Sequence, residues 1–103
     1  MIVYGLKNCD TCRKALKSLS GATLCDVRAD GVPDAILTAA YAQFGQTLVN
    51  TRSTTWRGLT ESERAAPPLE LIRAHPALMK RPLIDADGTL YLGWDAAVQQ
   101  VLT

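Results

Sequence analysis

The first part of the chain alternates short apolar runs with amphipathic ones. Ile2–Tyr4 is typical of a short buried strand, and residues 13–19 place alanine and leucine at helical spacing among lysine and arginine. Residues 22–27 resume as a strand, and residues 34–44 form a second amphipathic pattern that Gly45 ends. The strand–helix–strand order of residues 2–27 predicts two parallel strands joined by a helix. We expect this crossover to be right-handed, as almost all such connections are.

The middle of the chain, about residues 46–80, remains helical in pattern but is broken into short pieces. Residues Thr60–Glu63 fit a capping box at the start of one piece. Pro67 and Pro68 separate that piece from the next, which Pro76 ends. The pattern therefore predicts a helical segment rather than further strands.

The last part of the chain predicts a strand pair and a closing helix. Residues 82–85 and 89–92 flank a three-residue loop, 86–88, and residues 95–102 have helical spacing. Added to the parallel pair, these strands predict an α/β fold with a four-stranded mixed sheet and helices on its faces. We interpret residues 1–103 as one thioredoxin-like domain with a helical insertion between the second and third strands.

Composition and charge exclude several classes of protein. The 103 residues carry a net charge of +1, which gives no electrostatic case for nucleic acid or an anionic membrane. No apolar run approaches the ~20 residues that span a bilayer, and the first residues do not resemble a secretory signal. Three cysteines, an odd number, do not form a secreted disulfide framework. We expect a cytoplasmic protein with reduced thiols.

The motif with the most specific chemistry is Cys9-Asp10-Thr11-Cys12, at the junction of the first strand and the first helix. The free N–H groups and the dipole of a helix N-terminus stabilise negative charge, which lowers the pKa of a cysteine there. Cys12 follows after about one helical turn and can approach Cys9. The spacing therefore predicts a redox pair in which one thiol attacks and the other resolves.

The third cysteine and the single histidine are expected to have structural roles. Cys25 lies in a predicted buried strand, where a small hydrophobic residue is the expected role. His75 precedes a proline at a helix end. A zinc site built from these two residues with Cys9 and Cys12 would lack a second closely spaced ligand pair, so we expect no metal.

Four segments in order resemble the ArsC/Spx family, the arsenate reductase-like branch of the thioredoxin superfamily. They are residues 4–15 (YGLKNCDTCRKA), 50–57 (NTRSTTWR), 75–84 (HPALMKRPLI) and 92–94 (LGW). The last segment is similar to Spx and YffB-like members in particular.

This resemblance implies roles for individual residues. Cys9 takes the nucleophile position, and Arg52 and Arg81 match two of the three arginines that bind the oxyanion in arsenate reductases of this type. The third arginine would fall at Gly93, so arsenate reduction is not expected. Pro82 matches the proline beside the active cysteine, and we expect its peptide bond to be cis and to line the substrate groove.

The loop around Cys9 is the remaining part of the predicted site. Asn8, Asp10 and Thr11 fill this loop, where backbone N–H groups would bind an anion. We assign the three residues to substrate binding and expect Asp10 or Thr11 to cap the helix.

Three functions follow from the resemblance. The first is a bacterial, glutathione-linked thiol-disulfide oxidoreductase in which Cys12 or glutathione resolves the intermediate. The alternatives are a redox-sensing regulator that binds the RNA polymerase α-subunit, like Spx, and an arsenate reductase proper. Glutathione is expected as a co-substrate, with no bound cofactor. We also expect a small anionic or disulfide substrate, glutaredoxin as a protein partner, and a monomer.

Overall fold

A computed structural model describes all of residues 1–103 and divides the chain into two units. One unit consists of residues Met1–Asp30 with Arg81–Thr103, and the other of Gly31–Lys80. In chain order the strands and helices are β1 (Ile2–Gly5), α1 (Asp10–Ser18), β2 (Thr23–Asp26), α2 (Val27–Asp30), α3 (Asp34–Phe44), α4 (Thr54–Arg57), α5 (Glu61–Arg64), α6 (Pro68–Ala74), β3 (Leu83–Ala86), β4 (Thr89–Leu92) and α7 (Ala96–Leu102).

The first unit is built on a four-stranded mixed sheet with the strand order β2-β1-β3-β4. Strand β1 pairs with β2 in parallel, with Tyr4 opposite Cys25, and with β3 in antiparallel orientation, with Tyr4 opposite Leu83. The parallel pair and the mixed sheet that the sequence predicted are therefore confirmed. This register places the end of β1, from which the chain enters α1, in the middle of the sheet.

One apolar cluster holds α1 and α7 against the sheet. Its buried members come from β1, the C-cap of α1, β3 and α7, and they are Val3, Leu19, Ile84 and Val98. Each large apolar side chain buried in this way contributes about 1.5–3 kcal/mol to folding. The C-terminal end of α1 is thus fixed to the sheet by Leu19 and by Leu16, which packs against the same cluster.

Two predicted boundaries in this unit are wrong. Helix α1 begins at Asp10 rather than Arg13, because Cys9 itself is the N-cap. In the hairpin, Ala86 still pairs with Thr89, so the loop has two residues rather than three. The two loop residues, an Asp-Gly pair, have φ values of 53° and 94°, which fit the type I′ turn that Asp-Gly favours.

The second unit is helical, as the sequence predicted for about residues 46–80. Two 3₁₀ turns, Gly45–Leu48 and Pro76–Leu78, accompany the four helices, and a single bridge joins Val49 to Met79. The predicted helix at residues 34–44 and the capping box at the start of α5 are both confirmed. None of the chain's helices is long and apolar enough to pass through a bilayer.

Candidate active site

Cys9 lies at the point where the chain leaves the sheet and enters α1. Its backbone is extended (φ −93°, ψ 119°), and its N–H donates to the Leu6 carbonyl over 3.2 Å. No side-chain hydrogen bond caps this helix. The half-buried sulfur of Cys9 therefore lies at a helix N-terminus, where free N–H groups favour an anion.

The surroundings of Cys9 stabilise its thiolate. Partial burial raises the pKa of the Cys9 thiol, but its sulfur accepts hydrogen bonds from the backbone N–H and the thiol of Cys12 and from the Arg81 guanidinium. These bonds, with the positive charge of Arg81, outweigh the burial and leave the pKa of Cys9 below its ordinary value. A lowered pKa makes Cys9 the more readily ionised and hence more reactive thiol of the pair.

Cys12 has the opposite character. It lies in the first turn of α1 and is completely buried. Burial raises the pKa of Cys12, a hydrogen bond from the Leu6 backbone lowers it, and the neighbouring Cys9 raises it again, so that the pKa is about 11. Cys12 is therefore a protonated thiol that is shielded from solvent but in hydrogen-bond contact with Cys9.

Gly5 makes room for the buried thiol, a role that sequence reasoning missed. A Cβ added to Gly5 would collide with the Cys12 sulfur and would lie 3.2 Å from the Cys12 Cβ. The signal in the sequence was a glycine at the end of an apolar strand, which often marks a close approach to the backbone.

Arg81 and Pro82 immediately precede β3. The peptide bond between them is cis, as predicted, and Pro82 is buried. The Pro82 carbonyl accepts a hydrogen bond of 2.8 Å from the Gly93 N–H, and Gly93 has a φ of 86°. Position 93 thus combines a left-handed backbone with a fixed hydrogen bond, which glycine adopts readily.

The residues flanking Cys9 differ from the prediction in one respect. Neither Asp10 nor Thr11 caps α1, because Cys9 occupies the N-cap position. The Asp10 carboxylate instead accepts from the Arg13 guanidinium over 2.6 Å, an exposed pair within the first turn. Asn8 and Thr11 are exposed, and the assignment of these loop residues to substrate binding stays a prediction.

Asp26, at the end of β2, is a second residue that sequence reasoning missed. Its carboxylate accepts the Lys7 N–H over 3.2 Å and the N–H groups of Arg28 and Ala29 over 3.0 and 3.2 Å. The bond from Lys7, followed by those from Ala29 and Arg28, lowers the pKa of Asp26 despite some desolvation. One carboxylate thus anchors the loop before Cys9 and the first turn of α2.

Arg52 belongs to the other unit, where it is exposed. The chain turns at Asn50, whose side-chain oxygen accepts the Arg52 N–H over 3.0 Å. A cleft of about 620 Å³ lies here, lined by Gln46, Thr47, Val49, Asn50, Thr51, Arg52 and Lys80. Two cations with amide and hydroxyl groups suit an anionic ligand. The anion-binding role that the family resemblance implies for Arg52 stays a prediction.

The other candidate residues have structural surroundings. Cys25 was predicted to be a small core residue of a buried strand, but the structure leaves it only half-buried. The pKa of its thiol is raised by burial first and then by Asp30 and Asp26. His75 is the C-cap of α6, as its place before a proline indicated. No three His, Cys, Asp or Glu side chains are grouped so as to hold a metal ion.

Comparison with known proteins identifies the family. The model of the ArsC family matches residues 4–101, nearly the whole chain. The chain belongs to the ArsC family. A Haemophilus influenzae protein described as uncharacterized is 44% identical over 102 residues, covering 90% of each chain.

Solved structures of ArsC-related proteins share the fold. A protein named YffB superposes with a TM-score of 0.87 at 30% identity, covering 98% of this chain and 96% of its own. An ArsC-related protein from Brucella melitensis has a TM-score of 0.70 at 31% identity, covering 97% and 91% of the two chains. The thioredoxin-like α/β fold of this ArsC-family chain is therefore confirmed, as is the resemblance to arsenate reductase-like proteins.

Proposed function

We propose that this protein is a thiol-disulfide oxidoreductase that uses glutathione as its reductant. The observation that carries the proposal is the asymmetry of the two thiols. Cys9 is half-exposed with a lowered pKa beside Arg81, whereas Cys12 is buried with a pKa of about 11. Attack by one thiol and resolution by the other require this difference.

In the first step the Cys9 thiolate attacks one sulfur of a substrate disulfide. The bond between the two substrate sulfurs breaks, a mixed disulfide forms on Cys9, and the other substrate sulfur leaves as a thiolate that takes a proton from water. Arg81 lowers the pKa of Cys9 and thereby keeps it ionised for this attack. Pro82 is expected to line the groove that receives the substrate.

In the second step Cys12 resolves the mixed disulfide. Formation of the mixed disulfide removes the negative charge of Cys9 that raises the pKa of Cys12, so Cys12 loses its proton more readily. Its sulfur attacks Cys9, the Cys9–Cys12 disulfide forms and the second substrate thiol is released. The substrate has then gained two electrons, and two molecules of glutathione return the pair to thiols as they become glutathione disulfide.

The cleft around Arg52 supports a role in binding the anionic part of a substrate. A carboxylate of glutathione or another small anion would meet the Arg52 guanidinium and the Lys80 ammonium, with the Asn50 amide beside them. An arginine binds a carboxylate through two parallel hydrogen bonds, which a lysine cannot do.

Mass spectrometry after treatment with oxidised glutathione tests the proposal. The wild type should form a glutathione adduct on Cys9 that converts to the Cys9–Cys12 disulfide. The Cys12→Ser variant should stop at the adduct, and the Cys9→Ser variant should form none. An adduct on Cys12 or Cys25 in preference to Cys9, or no adduct at all, would overturn the proposal.

The cytoplasm is the compartment in which we expect this reaction, with glutaredoxin as a candidate protein partner. The regulator interpretation predicts instead a complex with the RNA polymerase α-subunit that depends on the redox state of the pair. A pull-down with oxidised and reduced protein separates the two, since the oxidoreductase interpretation predicts no complex in either state.

A further inference from the structure

A second groove lies beside α1 in the unit that carries the two cysteines. It has a volume of about 430 Å³ and is lined by Thr11, Lys14, Lys17, Ser18, Trp94 and Gln99. The Trp94 side chain packs against the apolar core of this unit, and its carbonyl accepts a hydrogen bond of 2.9 Å from the Gln99 amide. The wall opposite the two lysines is therefore well anchored.

The groove carries two lysines that form no ion pair. Neither Lys14 nor Lys17 has a carboxylate within 4.0 Å. Asp10 is paired with Arg13, and the carboxylate of Asp95 caps α7. The helix α7 itself contains no charged residue. The groove is therefore lined by two unpaired lysines and by the uncharged side chains of Trp94 and Gln99, which favours a ligand with carboxylates.

The position of the groove relates it to Cys9. Thr11, at one end, lies in the first turn of α1, two residues after the nucleophile. With a rise of 1.5 Å per helical residue, Lys14 and Lys17 lie about 7.5 and about 12 Å further along the helix axis than Cys9. An extended peptide advances about 3.3 Å per residue, so these offsets along the axis alone equal about two to four residues of extended peptide.

We propose that the groove binds an acidic arm of a protein disulfide substrate while the substrate cysteine reacts with Cys9. The inference rests on the proposed function and names its substrate class: proteins with Asp or Glu about two to four residues from the reacting cysteine. Lys14 and Lys17 bind the carboxylates, and Trp94 provides an apolar wall for the neighbouring side chains. A tripeptide with a central cysteine has only one residue on either side of its thiol, so it is too short to reach Lys17, about 12 Å along the helix axis from Cys9.

The test uses synthetic peptides whose single cysteine is linked by a disulfide to a chromogenic thiol. Two acidic peptides carry Glu at two to four residues on one or the other side of the cysteine, and two matched peptides carry Gln instead. At low salt the wild type should react with one acidic peptide about tenfold faster than with its neutral match, since electrostatic complementarity raises association rates by ~10-fold or more.

In the Lys14→Gln/Lys17→Gln variant the ratio of acidic to neutral rate constants should fall about fivefold to tenfold, and added salt should abolish the preference in the wild type. The Arg28→Gln variant removes a positive charge from the same unit outside the groove, and it should keep the wild-type ratio.

Two results would overturn the inference. One is a wild-type protein that reacts equally with the acidic and the neutral peptides, and the other is a lysine variant that keeps the preference. Both leave the proposed function intact as long as oxidised glutathione still modifies Cys9. Failure of Cys9 to react with any disulfide would instead overturn the proposed function together with this inference.

Discussion

At the scale of the residue, the two cysteines of the motif show how position alone separates two identical side chains. Cys9 is half-exposed beside the Arg81 guanidinium, and its pKa is lowered. Cys12, three residues later, points into the unit, and burial is the first cause of its raised pKa. The order of the two proposed chemical steps therefore follows from the fold and not from the cysteines themselves.

Replacement of Arg81 by methionine tests the electrostatic part of this argument. The Arg81→Met variant keeps much of the apolar stem but loses the hydrogen bond and charge that lower the pKa of Cys9, so that pKa should rise. A hydrogen bond to a charged group contributes about 1.5–3 kcal/mol, and for a half-exposed sulfur we expect alkylation of Cys9 at neutral pH to slow about fivefold.

The pH dependence of this alkylation has a defined sign. Because the pKa of Cys9 is lowered in the folded protein, the wild type should stay reactive below the ~8.5 of an ordinary thiol and lose reactivity as the pH falls through the folded pKa. The Arg81→Met profile should be displaced to higher pH, while Arg28→Met should match the wild type. Coincident profiles for all three proteins would refute the role given to Arg81.

Replacement of Gly5 by alanine tests the place of the resolving thiol. The new methyl group would overlap the Cys12 sulfur, which has to rotate away from its present position. Overpacking of this kind costs about 1–3 kcal/mol, and closure of the Cys9–Cys12 disulfide should slow about tenfold while the glutathione adduct on Cys9 still forms.

The time course of adduct and internal disulfide in the mass spectrometer separates these two steps for Gly5→Ala. Gly58→Ala is the matched control, because a Cβ there meets only carbonyl oxygens at 3.6 Å and its φ is −79°. Closure at the wild-type rate in Gly5→Ala would mean that Cys12 does not need the space above Gly5.

At the scale of the element, the loop that precedes α1 depends on the end of β2. The sheet places β1 and β2 side by side, so Gly5 at the end of β1 lies opposite Asp26. From there the Asp26 carboxylate reaches the Lys7 N–H and also holds the first turn of α2. One side chain thus joins the loop before Cys9 to the end of β2 and the start of α2.

The Asp26→Asn variant should loosen this loop and reduce stability in a pH-dependent way. The pKa of Asp26 is lowered in the folded state, first by the Lys7 N–H, so its stabilising contribution is present above the unfolded pKa of about 3.9 and is lost as the pH falls through the folded value. Urea unfolding at neutral and acidic pH should show wild type and variant differing at neutral pH and converging in acid.

Asp87→Asn is the control for this comparison. Asp87 is exposed in a type I′ turn, where asparagine is equally favoured, so its variant should follow the wild type at every pH. An Asp26→Asn difference that is as large in acid as at neutral pH would show that the carboxylate charge is not what holds the loop.

At the scale of the whole molecule, apolar periodicity was enough to predict the four-stranded sheet, the helix at residues 34–44 and the C-terminal helix. It also predicted the helical character of about residues 46–80. These features depend on apolar spacing and on prolines and glycines, which act locally. The cis bond before Pro82 came from the family resemblance and not from the pattern.

The parts that could not be predicted depend on contacts between segments distant in sequence. Gly5 matters because of where Cys12 packs, and Asp26 because a parallel register brings it beside Lys7. The N-cap at Cys9 and the two-residue turn differ from expectation by small shifts of boundary, which periodicity does not resolve.

We expect this protein to be a poor arsenate reductase. The resemblance to arsenate reductases of this family implies a third oxyanion-binding arginine at the position where this chain has Gly93. Here that position has a φ of 86°, and its N–H is bonded to the Pro82 carbonyl. An arginine would have to adopt a left-handed backbone at a cost of about 1–3 kcal/mol, so the missing guanidinium cannot be restored without disturbing the segment beside the cis bond.

In an assay coupled to glutathione and glutaredoxin, we therefore expect little turnover of arsenate by the wild type and no gain in Gly93→Arg. Urea unfolding should show Gly93→Arg and Gly93→Ala destabilised alike, by about 1–3 kcal/mol, because the backbone and not the charge is at fault. Robust arsenate turnover by the wild type, or a stable Gly93→Arg variant that acquires it, would prove the role assigned to Gly93 wrong. The proposed thiol-disulfide reaction of Cys9 would stand after either result, since that proposal rests on Arg81 and Cys12 and not on Gly93.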